Sequence, residues 1–240
     1  MRTAAVVLAA GSGTRMGSSV PKQFMEVGGF PVLYYTLKAF QDSPVTDEIT
    51  VVTAKGEEET CKNIIGNYQF SKVTSIVRGG QKRVDSVYYG LCSLKNIDYV
   101  FIQDSARIFL NEDLIEGTLQ AAKESGAALA AAPVRDTVKV SSDGEYVLSS
   151  PDRSSLWIAQ TPQTFRVDLI MSCFRKYREA LEKADAEGSV IDEITDDVSL
   201  VSLFSDSGVR IVRSSFWNMK ITEPEDICVA EALMSTTKYC

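Results

Sequence analysis

The stretch LAAGSGTRMGSSVPKQF, residues 8–24, governs how the rest of this chain is interpreted. An apolar run at residues 4–8 leads into it, and the small and β-branched side chains of that run predict a buried parallel strand. In the loop that follows, glycines would let backbone N–H groups come close to a ligand, and two cations would add positive charge. The stretch therefore favours a polyphosphate site. Its glycines and cations are Gly11, Gly13, Gly17, Arg15 and Lys22.

Two better-known phosphate loops do not fit this stretch. A Walker loop needs a second glycine five positions after the first, followed by Lys and then Ser or Thr, and neither Gly11 nor Gly13 meets that spacing. In the dinucleotide fingerprint a third glycine would stand where this chain has Met16. An ordinary strand-to-helix turn is the simpler alternative, but it gives no reason for cations on both sides of the turn.

Length and composition predict one folded unit. The chain has 240 residues, 45% of them hydrophobic, so we expect a single domain over residues 1–240. It contains neither a bilayer-spanning apolar run nor a signal-peptide pattern, so we expect a cytoplasmic protein without a membrane partner. Scattered cysteines without a Cys-x-x-Cys pair favour reduced thiols over disulfides or a zinc site. They are Cys61, Cys92, Cys173, Cys228 and Cys240.

Charge and the lack of histidine narrow the possible chemistry. A formal net charge of −7 opposes non-specific binding of nucleic acid, so anion binding would have to be local. Because the sequence has no histidine, Ser-His-Asp and Cys-His hydrolases, HExxH metalloproteases and His-ligated metal centres are excluded. Any chemistry therefore depends on carboxylates, cations, hydroxyls and backbone dipoles.

Predicted strands and helices alternate along the chain. This alternation indicates an α/β fold, an open and mostly parallel Rossmann-like sheet with helices on both faces. Ligands of such sheets bind at the carboxyl ends of the strands, where residues 10–23, 78–86 and 104–107 would converge. The strands are expected at 4–8, 49–53, 73–77, 98–103, 127–132 and 209–212. The helices are expected at 31–40, from 57, up to 94, at 111–125, at 167–184 and from 223.

The alternation breaks at Asp136. Residues 137–140 and 146–148 predict two strands around an Asp-Gly turn, a β-hairpin arm of about residues 136–160 that projects from the sheet. A lone hairpin is marginally stable in water, so we expect the arm to pack against a second subunit. Further along, residues 194–197 predict an acidic loop.

Several sequence blocks, in this order, resemble the cytidylyltransferases that make CDP-alditols. The blocks run nearly end to end: LAAGSGTRMG with PKQ, GGQKRVDSVYYGL, DSAR, APVRDTVK, DRSSLW with QTPQTF, ITDD and NMKITEPED. The resemblance implies transfer of a cytidylyl group from CTP to 2-C-methyl-D-erythritol 4-phosphate, with release of pyrophosphate, in non-mevalonate isoprenoid biosynthesis. The alternatives are ribitol 5-phosphate as the acceptor, a sugar-1-phosphate nucleotidyltransferase, and a non-catalytic protein that binds alditol phosphate or nucleotide.

The chain departs from the family pattern at residues 103–108. They read Gln-Asp-Ser-Ala-Arg-Ile where the family most often has His-Asp-Ala-Ala-Arg-Pro, so the loop's shape is expected to differ while its Asp and Arg remain. Ser105 is typical of the ribitol phosphate branch. Ala106 and residues 136–139 and 195–197 favour the methylerythritol branch instead.

The resemblance also implies roles for individual residues in catalysis and CTP binding. The catalytic positions would be Arg15, Lys22, Lys220 and Arg153. The residues around CTP would be Ala9, Ala10, Gly11, Gly80 and Ser86. Simpler explanations stay open for some of these, because Arg15 and Lys22 could be solvated cations and Arg153 could form a surface salt bridge of little energetic weight.

A third and a fourth group would bind the acceptor and a metal. The alditol phosphate would contact Arg107, Thr137, Arg153 and Thr161, with the arm reaching into the neighbouring subunit of a homodimer. Asp104 would bind Mg²⁺ or another divalent cation. The simpler explanation for Asp104 is a helix cap.

Overall fold

A central sheet carries the fold of the computed structural model, which describes residues 1–11, 13, 16–17, 20–191 and 194–236. Its strands are β1 (Thr3–Ala9), β4 (Glu48–Thr53), β5 (Val73–Arg78), β6 (Tyr99–Asp104), β7 (Ala127–Pro133), β8 (Trp157–Arg166) and β9 (Val209–Arg213). A separate antiparallel pair is formed by β2 (Glu26–Val27) and β3 (Phe30–Pro31). The helices are α1 (Val32–Asp42), α2 (Glu58–Asn67), α3 (Arg83–Cys92), α4 (Glu112–Ser125), α5 (Val167–Glu187), α6 (Asp197–Phe204) and α7 (Pro224–Met234).

The sheet has the order β5-β4-β1-β6-β8-β7-β9 among the described residues. Strand β8 is antiparallel to both of its neighbours, β6 and β7, whereas the other adjacent pairs of this sheet are parallel. Helices cover both faces, with α1, α2 and α4 on one side and α3, α5 and α6 on the other. The predicted α/β class, mostly parallel with helices on both faces, is confirmed.

Local sequence explains where these elements begin and end. In α1 the predicted apolar face is confirmed, because Leu33, Leu37 and Phe40 are fully buried against the sheet. Helix α4 begins where Asn111 accepts a hydrogen bond from the N–H of Leu114 at 3.1 Å. It ends at Gly126, whose φ of 87° suits a residue without a side chain.

The sequence did not predict strand β8. Its segment contains polar residues and Pro162, which cannot donate a ladder hydrogen bond. The proline is tolerated because pairing with β6 ends at Gln163 and the register with β7 shifts between Leu129 and Ala131. A proline at such an irregularity removes no regular ladder bond.

Helix α6 was also missed, because the sequence predicted an acidic loop through residues 194–197. Asp196 is instead the N-cap of this helix, accepting a hydrogen bond from the N–H of Ser199 at 3.1 Å. The helix packs through Leu200 and Val201, both fully buried. Five of its eight residues are apolar and lie on more than one side of the helix, so the sequence does not show the apolar face that marks a surface helix.

The predicted arm projects, but its two regular strands were wrong. In residues 137–149 one isolated bridge, between Val140 and Ser149, joins the two halves of the described segment. The side chain of Asp143 closes the tip by accepting hydrogen bonds from the N–H groups of Glu145 and Tyr146. The arm joins β8 at Trp157, before the predicted limit of 160.

The order of the strands fixes where ligands can bind. From β1 the chain proceeds outward to β4 and β5 on one side, and then crosses to β6 on the other side of β1. Ligands of open α/β sheets bind at the carboxyl ends of strands where the order reverses in this way. That point lies between Ala9, at the end of β1, and Asp104, at the end of β6. Among the described helices, none is both long and apolar enough to cross a bilayer.

Two helical glycines provide a matched test of this packing. A Cβ added at Gly90 in α3 would lie 2.5 Å from Val6 Cγ1 and 2.9 Å from Val52 Cγ2, whereas at Gly66 in α2 no described atom lies within 4 Å. We expect Gly90→Ala to lower the free energy of unfolding by roughly 1–3 kcal/mol. Gly66→Ala should raise it by about 0.5–1 kcal/mol through helix propensity alone. Urea denaturation measures both, and equal effects would contradict the close approach of α3 to the sheet.

Candidate active site

A cavity of about 390 Å³ opens at the predicted point, beside the loop that follows β1; we call it the glycine-loop cavity. Loops after β1, β5 and β6 line it together with the segment before α7. Among its described lining residues four are basic and one is acidic, so it is locally positive in a chain of net charge −7. The basic residues are Lys22, Lys82, Arg83 and Lys220, and the acidic one is Asp104.

The loops after β1 and β5 touch closely at one wall. A Cβ at Gly79 would lie 2.7 Å from Ala10 Cβ and 2.7 Å from Ser86 Oγ, so only glycine permits this approach. Ser86 Oγ also accepts a hydrogen bond from Gly80 N–H at 3.1 Å, which holds the turn against α3. The structure thus brings together Ala10, Gly11, Gly80 and Ser86, all expected around CTP, in one lining. Ala9, also expected around CTP, is buried in the core and is not among the lining residues.

Of the two cations predicted in the glycine loop, the structure describes Lys22 but not Arg15. Lys22 lines the glycine-loop cavity, and its Nζ donates to the carbonyl oxygen of Ile221 at 3.0 Å. This contact ties the first loop to the segment that carries Lys220. Arg15 lies outside the described residues, so its predicted role stays a prediction.

Asp104 is the acidic centre of the site. Lys220 Nζ lies 2.7 Å from Asp104 Oδ2, Arg83 Nε lies 3.5 Å from Oδ1, and Arg107 Nε lies 4.0 Å from Oδ2. Burial alone would raise the pKa of Asp104, but the charges of Lys220 and Arg83 outweigh burial and hold it well below its usual range. The carboxylate is therefore ionised at neutral pH.

A second cavity, of about 460 Å³, lies on the other side of these charges; we call it the β8 cavity. It shares Arg83, Asp104 and Lys220 with the glycine-loop cavity. Arg107 and Thr161, both predicted to hold the alditol phosphate, line it. Thr161 is connected to Asp104 directly, since Thr161 Oγ1 accepts a hydrogen bond from the Asp104 N–H at 3.1 Å. The shared residues therefore stand at the junction of the two cavities.

Arg83 is a site residue that the sequence did not single out. Its Nη2 donates to Asp197 Oδ2 at 2.8 Å, which places the guanidinium between Asp197 and Asp104. Burial alone would lower the pKa of Arg83, but the two carboxylates outweigh it and raise the pKa further above its ordinary value. The sequence feature that could have indicated Arg83 is its position after β5, where it follows two glycines that come directly after the strand end.

The other expected acceptor residues stay apart from both cavities. Thr137 and Arg153 lie exposed on the arm, and neither is among the lining residues. Arg153 Nη1 donates to the carbonyl oxygen of Arg135 at 2.7 Å, which holds it at the root of the arm. Within one chain, therefore, the structure does not bring Thr137 or Arg153 to Arg107 and Thr161.

The departures at residues 103–108 leave the loop's charged residues in place. Gln103 is fully buried, and its Nε2 donates to the carbonyl oxygen of Asp104 at 3.2 Å. Ile108 is buried in a cluster with Val32 and Ile221. Both substitutions therefore face the protein interior, while Asp104 and Arg107 face the cavities.

The ionised state of Asp104 can be tested through stability. In Asp104→Asn the partly buried cations lose their counter-charge, and we expect roughly 3 kcal/mol less free energy of unfolding at neutral pH. Because the folded pKa is lowered, this stabilisation is present above the unfolded pKa of about 3.9 and is lost as the pH falls through the folded pKa. In urea denaturation, the difference in free energy of unfolding between wild type and variant should be roughly 1 kcal/mol smaller at pH 3 than at pH 7.

The matched control is Asp168→Asn, which removes an exposed carboxylate paired with Arg166. Such surface pairs contribute little to stability, so we expect Asp168→Asn to change the free energy of unfolding by less than about 0.5 kcal/mol at either pH. A gap for Asp104→Asn that is the same at pH 7 and pH 3 would contradict the lowered pKa.

Comparison with known proteins identifies the family. The model of the 2-C-methyl-D-erythritol 4-phosphate cytidylyltransferase family matches residues 3–236. Enzymes of that name from Lachnospira eligens and Alkaliphilus oremlandii are 42% and 39% identical, over 94% and 99% of this chain and 96% and 97% of theirs. The crystal structure of a 4-diphosphocytidyl-2C-methyl-D-erythritol synthase from Anaerococcus prevotii superposes with a TM-score of 0.83 at 32% identity, over 98% of this chain and 99% of that one. The chain belongs to the 2-C-methyl-D-erythritol 4-phosphate cytidylyltransferase family.

Proposed function

We propose that this chain transfers the cytidylyl group of CTP to 2-C-methyl-D-erythritol 4-phosphate and releases pyrophosphate. The observation that carries the proposal is the pair of cavities that share Arg83, Asp104 and Lys220. The glycine-loop cavity would hold the nucleotide and the β8 cavity the acceptor, so that two anions meet at shared cations. Family membership supports CTP and the methylerythritol acceptor over the ribitol phosphate, sugar-1-phosphate and non-catalytic alternatives.

The reaction suits a site without histidine. A phosphate oxygen of the acceptor attacks the α-phosphorus of CTP, the bond from that phosphorus to the bridging oxygen breaks, and pyrophosphate leaves. The second pKa of a phosphate monoester is about 6, so the acceptor is largely a dianion at neutral pH and needs no general base. The main barrier is repulsion between two anions. Positive charge fixed at the junction lowers it.

Each cation has a place in this scheme. Lys22 and Lys220, both lining the glycine-loop cavity, would neutralise charge that spreads over the α-phosphate and the leaving pyrophosphate. Arg15 is proposed for the same task from its position in the glycine loop. Arg83 lies between the cavities and would face both phosphates. Because Asp104 and Asp197 hold its guanidinium, little reorganisation is required during the reaction.

We extend the proposal to a divalent cation, Mg²⁺, bound together with the nucleotide. Asp104 supplies the one carboxylate among the described residues that line the glycine-loop cavity. Magnesium commonly binds through one or two carboxylates plus substrate phosphates, and this donor set fits that mode. When bound, the ion would neutralise charge on the β- and γ-phosphates of the leaving group.

We also propose that the active unit is a homodimer whose arm completes the partner's β8 cavity. The arm exposes Tyr146, Val147 and Leu148 by 72%, 61% and 65%, an apolar run that one chain leaves uncovered. Thr137 and Arg153 lie on the same arm, away from the cavities of their own chain. Packing of the arm on a second copy would bury the run and could deliver both side chains.

A cytoplasmic location belongs to the same proposal. Throughout the described part of the chain the cysteines are free thiols, and Cys92 and Cys228 are exposed. Exposed thiols persist in the reducing cytoplasm and are readily oxidised outside it. These free thiols therefore support a cytoplasmic location.

The central test is pyrophosphate release with each acceptor and each nucleotide. We expect 2-C-methyl-D-erythritol 4-phosphate with CTP to react fastest, and excess chelator to stop the reaction. Lys22→Ala should lower kcat by roughly a hundredfold or more without unfolding the chain, because one preorganised cation contributes on the order of 3 kcal/mol. Lys183→Ala, on an exposed turn of α5, is the control and should keep full activity. A faster reaction with ribitol 5-phosphate would reassign the acceptor.

Subunit mixing tests the proposed dimer. Arg153→Ala and Lys22→Ala, each nearly inactive alone, should regain activity after exchange, because one site of each mixed dimer would carry both wild-type residues. At equal mixing half of the dimers are mixed and each has one intact site, so recovery should approach about a quarter of wild-type activity. A mixture that stays inactive despite exchange proven by mass spectrometry would rule out a site shared between subunits.

A further inference from the structure

Asn218, in the segment between β9 and α7, connects parts of the site that are far apart in sequence. It is 3% exposed, and its Nδ2 donates to Gln160 Oε1 at 3.0 Å and to the carbonyl oxygen of Thr161 at 2.9 Å. Its backbone carbonyl oxygen accepts a hydrogen bond from Arg107 Nη1 at 2.7 Å. One residue therefore touches both Thr161 and Arg107, the two described residues that were predicted to hold the acceptor and that line the β8 cavity.

The orientation of the Asn218 amide is determined by its neighbours. The carbonyl oxygen of Thr161 can only accept, so the nitrogen of Asn218 must face it. Gln160 is fixed in the same way, because its Nε2 donates to the carbonyl oxygen of Ser215 at 3.1 Å and its Oε1 is thereby directed at Asn218. If the side-chain amide were turned so that Oδ1 took the place of Nδ2, both hydrogen bonds would be lost.

The same segment also carries the cation of the junction. Two residues after Asn218, Lys220 pairs with Asp104 at 2.7 Å. Next to it, the N–H of Ile221 donates to the carbonyl oxygen of Ala106 at 2.9 Å, inside the loop that holds Asp104 and Arg107. Asn218 thus anchors one end of a short segment whose other end is anchored on the β6 loop.

Packing alone does not account for an asparagine at this position. Within the described part of the chain, Oδ1 of Asn218 is buried and has no hydrogen-bond partner. A buried acceptor without a partner is unfavourable, and an apolar side chain of similar volume would avoid it. What the asparagine supplies is the pair of donors on Nδ2, and both are directed at β8 beside the cavity.

We propose that Asn218 is a positioning residue, which sets the spacing of Arg107 and Thr161 around the acceptor's phosphate. Its side chain holds the β8 wall at Thr161, and its backbone carbonyl oxygen holds Arg107. The identity of the acceptor rests on the proposed function. The positioning itself is a property of the protein without substrate.

Kinetics with two variants test the proposal. Asn218→Ala removes both donors, and Asn218→Asp removes them while keeping the shape of the side chain. For both, kcat/KM for 2-C-methyl-D-erythritol 4-phosphate should fall roughly tenfold or more, while KM for CTP changes by less than about twofold. An equal rise in KM for both substrates, or an unchanged kcat/KM for the acceptor, would overturn the assignment.

A matched control separates positioning from general stability. Thr118→Val removes a buried hydrogen bond to the same strand, since Thr164 Oγ1 donates to Thr118 Oγ1 at 2.9 Å, but it lies on α4 away from both cavities. It should lower Tm as much as Asn218→Ala does and leave both KM values and kcat unchanged. If Thr118→Val reproduced the acceptor defect, the role of Asn218 would be merely structural.

Hydrogen exchange without substrate tests the positioning independently of activity. Asn218→Ala should speed exchange at the amides of Asp104 and Ile221 roughly tenfold, and Thr118→Val should not. The Asp104 amide bonds to Thr161, which Asn218 holds, and the Ile221 amide lies in the segment that Asn218 anchors. A wild-type enzyme inactive with CTP and every acceptor would refute the proposed function while this comparison still stood. Unchanged exchange in Asn218→Ala would refute the positioning role.

Discussion

The fold and the site both depend on keeping Asp104 ionised although it is buried. The carboxylate stands where the strand order reverses, and its charge can stay there only because cations reach it from elsewhere in the chain. Lys220 comes from 116 residues away in sequence, and Arg83 comes from the start of α3. Folding must therefore bring three separate segments together to compensate one charge. The same compensation leaves positive groups around a space open to anions.

Sharing those cations between two cavities resolves a conflict in the chemistry. Two phosphates repel each other most at the short distance where a bond must form, so the strongest positive charge is needed at the boundary between the binding spaces. Arg83 and Lys220 occupy that boundary. Holding Arg83 between Asp104 and Asp197 keeps its position fixed, while the net charge of the rest of the chain stays negative. The positive charge is therefore local, in a chain that is acidic overall.

Local pattern predicted most of the fold, and it failed where pairing is non-local. Parallel strands with continuous apolar runs and helices with caps were recognisable. So were the segments at strand ends, residues 78–86 and 104–107, which line the cavities. Strand β8 was not, because Pro162 is acceptable only at a register shift that depends on two neighbouring strands. The roles of Arg83 and Asn218 were hidden for a similar reason. Each depends on a partner more than 50 residues away, Asp197 for Arg83 and Gln160 for Asn218, and no spacing motif encodes such a contact.

The antiparallel placement of β8 beside β7 has a consequence for how the family can diversify. Because these strands are consecutive and adjacent, the arm is the connection of a single β-hairpin, and the sheet's register does not depend on its length. Loops of this kind tolerate insertion, deletion and exchange of sequence. The loops after β1 and β5, which line the glycine-loop cavity, lie on the other half of the sheet. The arm can therefore vary in length and sequence without disturbing that cavity.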